Sequence, residues 1–292
     1  MTATAETLTV SSELRAHRID LPYNVLLDGK AATRSRVQIV LERVQNTNAR
    51  SIAYNYKRIG SSLYRDIKAL DDIPDALTLA GMVYRYDNLQ SRILQDAYDR
   101  VATQVLPLVT GRDGTLKSLT DILSVKADDD ISVDEAVFRM QVLDYINSQT
   151  GIHIQYIDET TLKQIQNFMR TSPTVADFQK AIDAYFRADW PSRSYTIART
   201  ESHNAAMASV DYSVRNTNVD RDKTKTWRIS GSNTRPTHQA MDGVTVPFED
   251  PFKVPTNYGG TDTMMFPGDT SRGAGAGNII NCRCWYTQAY AD

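Results

Sequence analysis

Residues 49–70 read ARSIAYNYKRIGSSLYRDIKAL. The apolar positions Ile52, Tyr56, Ile59, Leu63, Ile67 and Leu70 recur at steps of three and four, which places them on one stripe of an α-helix. Lys57, Arg58, Arg65 and Lys68 fall between them and are expected to face solvent or a partner. Pro74 punctuates the stretch. A second pattern follows through Leu77, Ala80, Val83, Tyr84, Ile93, Leu94, Ala97, Tyr98, Val101 and Val105, and Pro107 is expected to end it. Two helices of this length predict an antiparallel hairpin.

Working outward, Gly111–Gly114 and Lys126–Asp130 read as breaks. Asp134 to Asn147 is expected to be a short helix carrying Val137, Leu143 and Ile146. Ile152, Ile154 and Tyr156 alternate weakly and predict a short strand over Gly151 to Ile157, followed by a helix over Leu162 to Met169. Thr174 is positioned to cap the next helix, with Asp177 three residues on. Val175, Phe178, Ile182 and Phe186 form its buried face. Trp190-Pro191 is expected to break it before a last long helix, Ser194 to Arg215.

Composition then changes. Residues 231–292 hold eight of the 14 glycines and five of the 10 prolines, so loops with turn chemistry should join short strands there. The candidates are Thr226–Ile229, Val244–Val246, Met264–Phe266 and Cys282–Tyr286. The fold class expected is α+β: a helical N-terminal domain over 1–150, built on the long hairpin, and a small α+β domain with late strands over 151–292, the boundary being set near Gly151. No internal repeat is visible.

An apolar content of 41% and a charged content of 23% are ordinary for a globular chain and exclude wholesale disorder. The net charge of −2 excludes a chain that is basic throughout, although not a local basic face. No apolar run approaches the roughly 20 residues that span a bilayer, so no membrane contact is expected. Met1 to Glu13 is small, polar and acidic, unlike a secretory signal, which predicts assembly in the cytoplasm. Cys282 and Cys284 are one residue apart, too close for an unstrained disulfide, so stability must come from burial.

An ordered set of motifs runs from Ile197 to Trp285: Ile197-Ala198-Arg199-Thr200-Glu201, Asn204-Ala205, Lys225-Thr226-Trp227, Asn233-Thr234-Arg235-Pro236-Thr237-His238, Met241-Asp242-Gly243, Phe266-Pro267-Gly268-Asp269 and Asn281-Cys282-Arg283-Cys284. Phe248 and Phe252 lie among them. Each piece alone is weak, but the series in this order resembles the C-terminal domain of phage Mu F-like head morphogenesis (minor capsid) proteins, over about 120 residues from about Thr160. Some members carry further cysteines near the Arg-His segment; this chain has none there. The resemblance implies a structural, non-enzymatic protein present in a few copies per virion, at the portal vertex or the inner capsid face. It would contact the portal protein and the major capsid protein, and packaged DNA where it aids packaging or ejection. No small-molecule substrate is implied.

Arg199, Glu201, Arg235, His238, Asp242, Asp269 and Asn281 are read as one structural polar network fixing loop conformation, with Arg199 reaching a carbonyl or a carboxylate such as Asp242 or Asp269. Gly268 permits positive φ, and Asp269 can bond its own local backbone. The metal candidate is His238, Cys282 and Cys284, whose imidazole and thiolates suit zinc, with His203 as a fourth ligand. The spacing is not the usual Cys-x-x-Cys, and two small buried side chains on a core strand is the preferred reading, so no cofactor is expected. Cys282 with His238 matches a nucleophile–base pair in composition only. A virion-carried ADP-ribosyltransferase-like effector is the enzymatic alternative, but no Glu-x-Glu or Gln-x-Glu pair stands in the right setting, and no Walker loop or His-Glu-x-x-His motif marks another enzyme. Arg34, Arg36, Arg43, Arg50, Lys57, Arg58 and Arg65, with Tyr54, Tyr56 and Tyr64, raise the alternative of an internal DNA-binding head protein. A solvated basic face is the preferred reading.

Overall fold

The structure, a computed structural model, describes residues 26–27, 30–31, 36–110, 135–216, 223–231 and 233–290. Met1–Glu13, Arg34, the two breaks at 111–114 and 126–130, and the side chains of Arg36, Leu143 and Ile146 lie outside the described part. The chain falls into two units. Among the described residues, the first holds two short antiparallel strands, β1 (Leu26–Leu27) and β2 (Lys30–Ala31). Every other element lies in the second, 34–230 with 234–292.

Helix α1 (Arg36–Lys68) runs 33 residues and buries the expected stripe, Ile52, Tyr56, Ile59, Leu63 and Ile67. The second apolar pattern is divided rather than continuous. Helix α2 (Ala76–Tyr84) starts on Asp75, whose carboxylate accepts the Thr78 N–H at 2.7 Å, and helix α3 (Asp87–Thr110) follows. Leu79 and Val83 face the core, whereas Leu77 is 85% exposed and does not belong to the stripe. Pro107 does not stop α3, which continues to Thr110.

Helix α4 (Glu135–Thr171) corrects the helix–strand–helix reading of this region. It runs 37 residues without interruption, through Gly151. Ile154, Ile157 and Ile165 are buried, while Ile152 and Tyr156 are exposed. The apparent alternation was therefore one side of a helix seen with two of its outward residues. Thr174 caps α5 (Val175–Ala184) as expected, accepting the Asp177 N–H at 3.1 Å while donating to the Asp177 carboxylate at 2.7 Å. Trp190-Pro191 is not a break. A π-helical turn, Tyr185–Asp189, carries the chain straight into α6 (Trp190–Arg215), with Pro191 in its first turn, where proline is tolerated.

Helix α6 packs against α1, α3 and α4. Nearly every residue from Ala198 to Val214 is buried. Alanines let its neighbours approach, and Ser194, Ser209 and Ser213 satisfy their hydroxyls on carbonyls four residues back, at 2.9, 2.8 and 2.6 Å. At its start the Trp190 indole lies on α1 and donates to the Tyr56 carbonyl at 2.9 Å. A Cβ on Gly60 would stand 2.0 Å from the Trp190 nitrogen, so only glycine fits there.

After α6 the chain forms β3 (Lys223–Arg228), α7 (Pro236–Gln239), β4 (Thr245–Pro247), β5 (Phe252–Pro255), β6 (Thr261–Met264), α8 (Ala276–Ile279) and β7 (Trp285–Tyr290). Strand β3 sits between β4 and β7, antiparallel to both, and pairs Trp227 with Tyr286; β5 and β6 form a separate hairpin. The architecture is α+β, with long helices first and short strands late. Two strand expectations shift: β6 ends at Met264, and β7 begins only at Trp285, leaving both cysteines outside it. Strand β5 was not anticipated. One hydrophobic core includes Val44, Tyr98, Phe138 and Tyr145 from the helices together with Ala205, Trp227, Phe252 and Cys284. No described helix is long and apolar enough to cross a membrane.

Candidate functional site

The residues that carry chemistry lie where the loops of the late sheet meet α6. Pro236 opens the single turn of α7 and places His238 inward, 1% exposed. On the other side, Asn281 adopts a positive φ of 57°, a conformation asparagine tolerates, and turns the chain from α8 toward β7. Its N–H donates to Thr200 Oγ1 of α6 at 3.1 Å. Cys282 and Cys284 follow, both buried and free. His238 Nδ1 stands 3.3 Å from the Cys284 sulfur and 3.7 Å from that of Cys282. All three ligand atoms lie within 4.8 Å of one another. The Trp227 ring meets His238 edge-on at 5.4 Å and Phe252 at 5.2 Å, closing the cluster in apolar surroundings.

The two thiols are unequal. Burial opposes ionisation of Cys282, but hydrogen bonds from Cys284, His203 and His238 hold its thiol well below the ordinary value. Cys284 is pushed up, first by its hydrogen bond to Cys282 and then by burial.

The remaining predicted site residues do not join in one set. Arg235 donates to the carbonyls of Gly277 and Ile280, tying the loop before α7 to α8. Asp242 accepts the Ile229 N–H at 3.2 Å. Asp269, fully buried, accepts the N–H groups of Met265 and Ser271, each at 2.8 Å, and so braces its own turn. Gly268 in that turn has φ 92°, and a Cβ there would lie 2.5 Å from Asn204 Oδ1, so the turn presses against α6 only as glycine. Arg199 is half-buried on α6 and also engaged. The expected single network is therefore a series of local ties.

Glu201 belongs to a cluster the sequence reading missed. Its carboxylate faces His153 Nδ1 at 2.6 Å and accepts from Tyr98 Oη at 3.2 Å. Thr270 Oγ1 donates to Gln149 at 2.6 Å, so it must accept from His153 Nε2, 2.9 Å away. Both ring nitrogens then carry protons, and His153–Glu201 is a buried ion pair. Burial lowers the His153 pKa, but the Glu201 charge and hydrogen bond prevail and raise it. A third cluster also went unread. Asp211 accepts from Arg215 Nε at 2.7 Å and Tyr286 Oη at 3.1 Å. Nearby Lys225, fully buried, donates to the Met265 carbonyl at 2.7 Å, with its ammonium over the Phe248 and Phe252 rings; burial pulls its pKa down to about 8.

No curated protein and no solved structure matches the chain. A family model does: residues 159–287 match the family described as Phage Mu protein F like protein. That interval starts at the residue before Thr160, where the motif series was expected to begin, and takes in α6, the sheet and the His238–Cys282–Cys284 cluster. Over residues 159–287 the chain is therefore similar to the phage Mu protein F like family, the one its motif series resembled.

Proposed function

We propose that the chain is a structural, non-enzymatic component of a phage head, acting in head morphogenesis at the portal vertex or the inner capsid face through contacts with the portal and major capsid proteins. The family match over 159–287 carries this reading. The polar groups of the late loops support it, because Arg235, Asp242 and Asp269 are occupied in bonding backbone. Helix α1, 33 residues long, offers an elongated surface for a partner subunit. The test is capture of the portal protein by the full chain after nuclease treatment and in high salt. Retention supports a protein–protein role. Loss of all capture under these conditions argues against it.

One observation favours a second reading, contact with packaged DNA. Arg43, Arg50, Arg58 and Arg65 are all exposed and recur every seven or eight residues along one side of α1. Duplex affinity that falls steeply with added salt would support it.

A further inference from the structure

We infer that His238 Nδ1, Cys282 Sγ and Cys284 Sγ bind one zinc-class ion, with His203 completing a four-ligand site that fastens the approach to β7 onto α6 and α7. Tetrahedral zinc with sulfur at about 2.3 Å and nitrogen at about 2.0 Å separates each nitrogen from each sulfur by about 3.5 Å. The two such separations here are 3.3 and 3.7 Å. A set of thiol hydrogen bonds explains the convergence less well. The single in-plane position on Nδ1, lone pair or proton, serves one partner well, and two sulfurs face it. A single cation at the centre satisfies the nitrogen and both sulfurs together.

The donor set suits a borderline-soft d10 ion and disfavours calcium or magnesium, which take oxygen ligands. His203 is the next donor available. It is 4% exposed on α6 and its side chain hydrogen-bonds Cys282, just outside the three residues whose ligand atoms lie within 4.8 Å of one another. The ligands come from α6, from α7 and from the segment after α8. Binding would therefore cross-link three elements without a disulfide. Metal uptake releases the thiol protons to solvent, and nothing is oxidised or reduced. The site stands independently of any role in a phage head.

The test uses the full chain, purified without a polyhistidine tag or chelator. Elemental analysis should give about one zinc per chain. Replacing it with cobalt should give the visible bands of a tetrahedral site and sulfur-to-cobalt charge transfer. Cys282→Ser and His238→Gln should each abolish both signals, and stripping the wild type with a strong chelator should lower its melting midpoint by roughly 5–10 °C. His203→Asn should keep the charge transfer but change the band pattern. Wild-type protein that carries no zinc and gives no cobalt spectrum overturns the proposal, whatever the variants do. So does metal that persists in Cys282→Ser. An unaltered cobalt spectrum in His203→Asn removes His203 from the site.

Discussion

His153 Nδ1 and Glu201 Oε2 meet at 2.6 Å in the interior, 48 residues apart in the chain, and join α4 to α6. Thr270 on the other ring nitrogen extends the tie to the loop after Asp269. A His pKa raised in the folded state adds stability that is complete below the unfolded pKa, roughly 6.5, and is lost as pH rises through the folded pKa. The unfolding free energy should therefore decline as pH rises above the unfolded value of about 6.5. Removing one partner leaves a buried charge uncompensated, so Glu201→Leu should cost about 3–5 kcal/mol at pH 6. The double variant His153→Leu with Glu201→Leu should lose less than Glu201→Leu alone. Denaturant titrations at several pH values check both points.

Gly60 and Trp190 make a second, purely steric prediction. With the added Cβ at 2.0 Å from the indole nitrogen, Gly60→Ala must displace Trp190 and break its bond to the Tyr56 carbonyl. A loss of about 2–3 kcal/mol is expected, with a red-shifted tryptophan emission on exposure. An unchanged midpoint would mean that the Trp190 contact is absent.

Gly151 predicts the opposite sign. It lies exposed inside α4, and a Cβ there would meet nothing within 4 Å. Gly151→Ala should stabilise the protein by about 0.5–1 kcal/mol. Destabilisation in a thermal melt would show that residue 151 is not helical and would restore the strand reading.

That glycine also shows where the sequence was and was not legible. The α1 stripe could be read because each apolar residue at helical spacing is buried against a neighbour, from Ile52 to Ile67. Helix α4 could not, because Gly151 and the outward Ile152 and Tyr156 imitate a turn and a strand. Packing of Ile154, Ile157 and Ile165 on the inner side outweighs a propensity penalty of about 1 kcal/mol. His153 was missed for the same reason. On a strand it had no visible partner; on a helix it faces Glu201. The late cluster was half legible. Residue type marked His238, Cys282 and Cys284, but their meeting depends on the Asn281 turn and its bond to Thr200, which no spacing reveals.

Asp158 gives a further pH prediction. Burial, then a hydrogen bond to Asp87, raises its pKa to about 7, while Gln90 donates to it at 2.8 Å. A carboxyl whose folded pKa is raised favours the folded state when protonated, and this contribution is lost as pH climbs from the unfolded value near 4 to about 7. Asp158→Asn keeps the shape and stays neutral. Its melting midpoint should exceed that of the wild type at pH 8, with the gap closing by pH 4. A gap that is constant with pH would place the proton elsewhere.

The most direct measurement is the position of the chain in assembled heads. Particles would be made from its own portal and major capsid proteins, with and without the chain, and imaged by single-particle microscopy alongside quantitative mass spectrometry. A few copies per head, with density at the portal vertex or inner capsid face that disappears when the chain is omitted, is the expected result. Heads that assemble, package and infect normally without the chain, and that never contain it, would contradict a role in head morphogenesis.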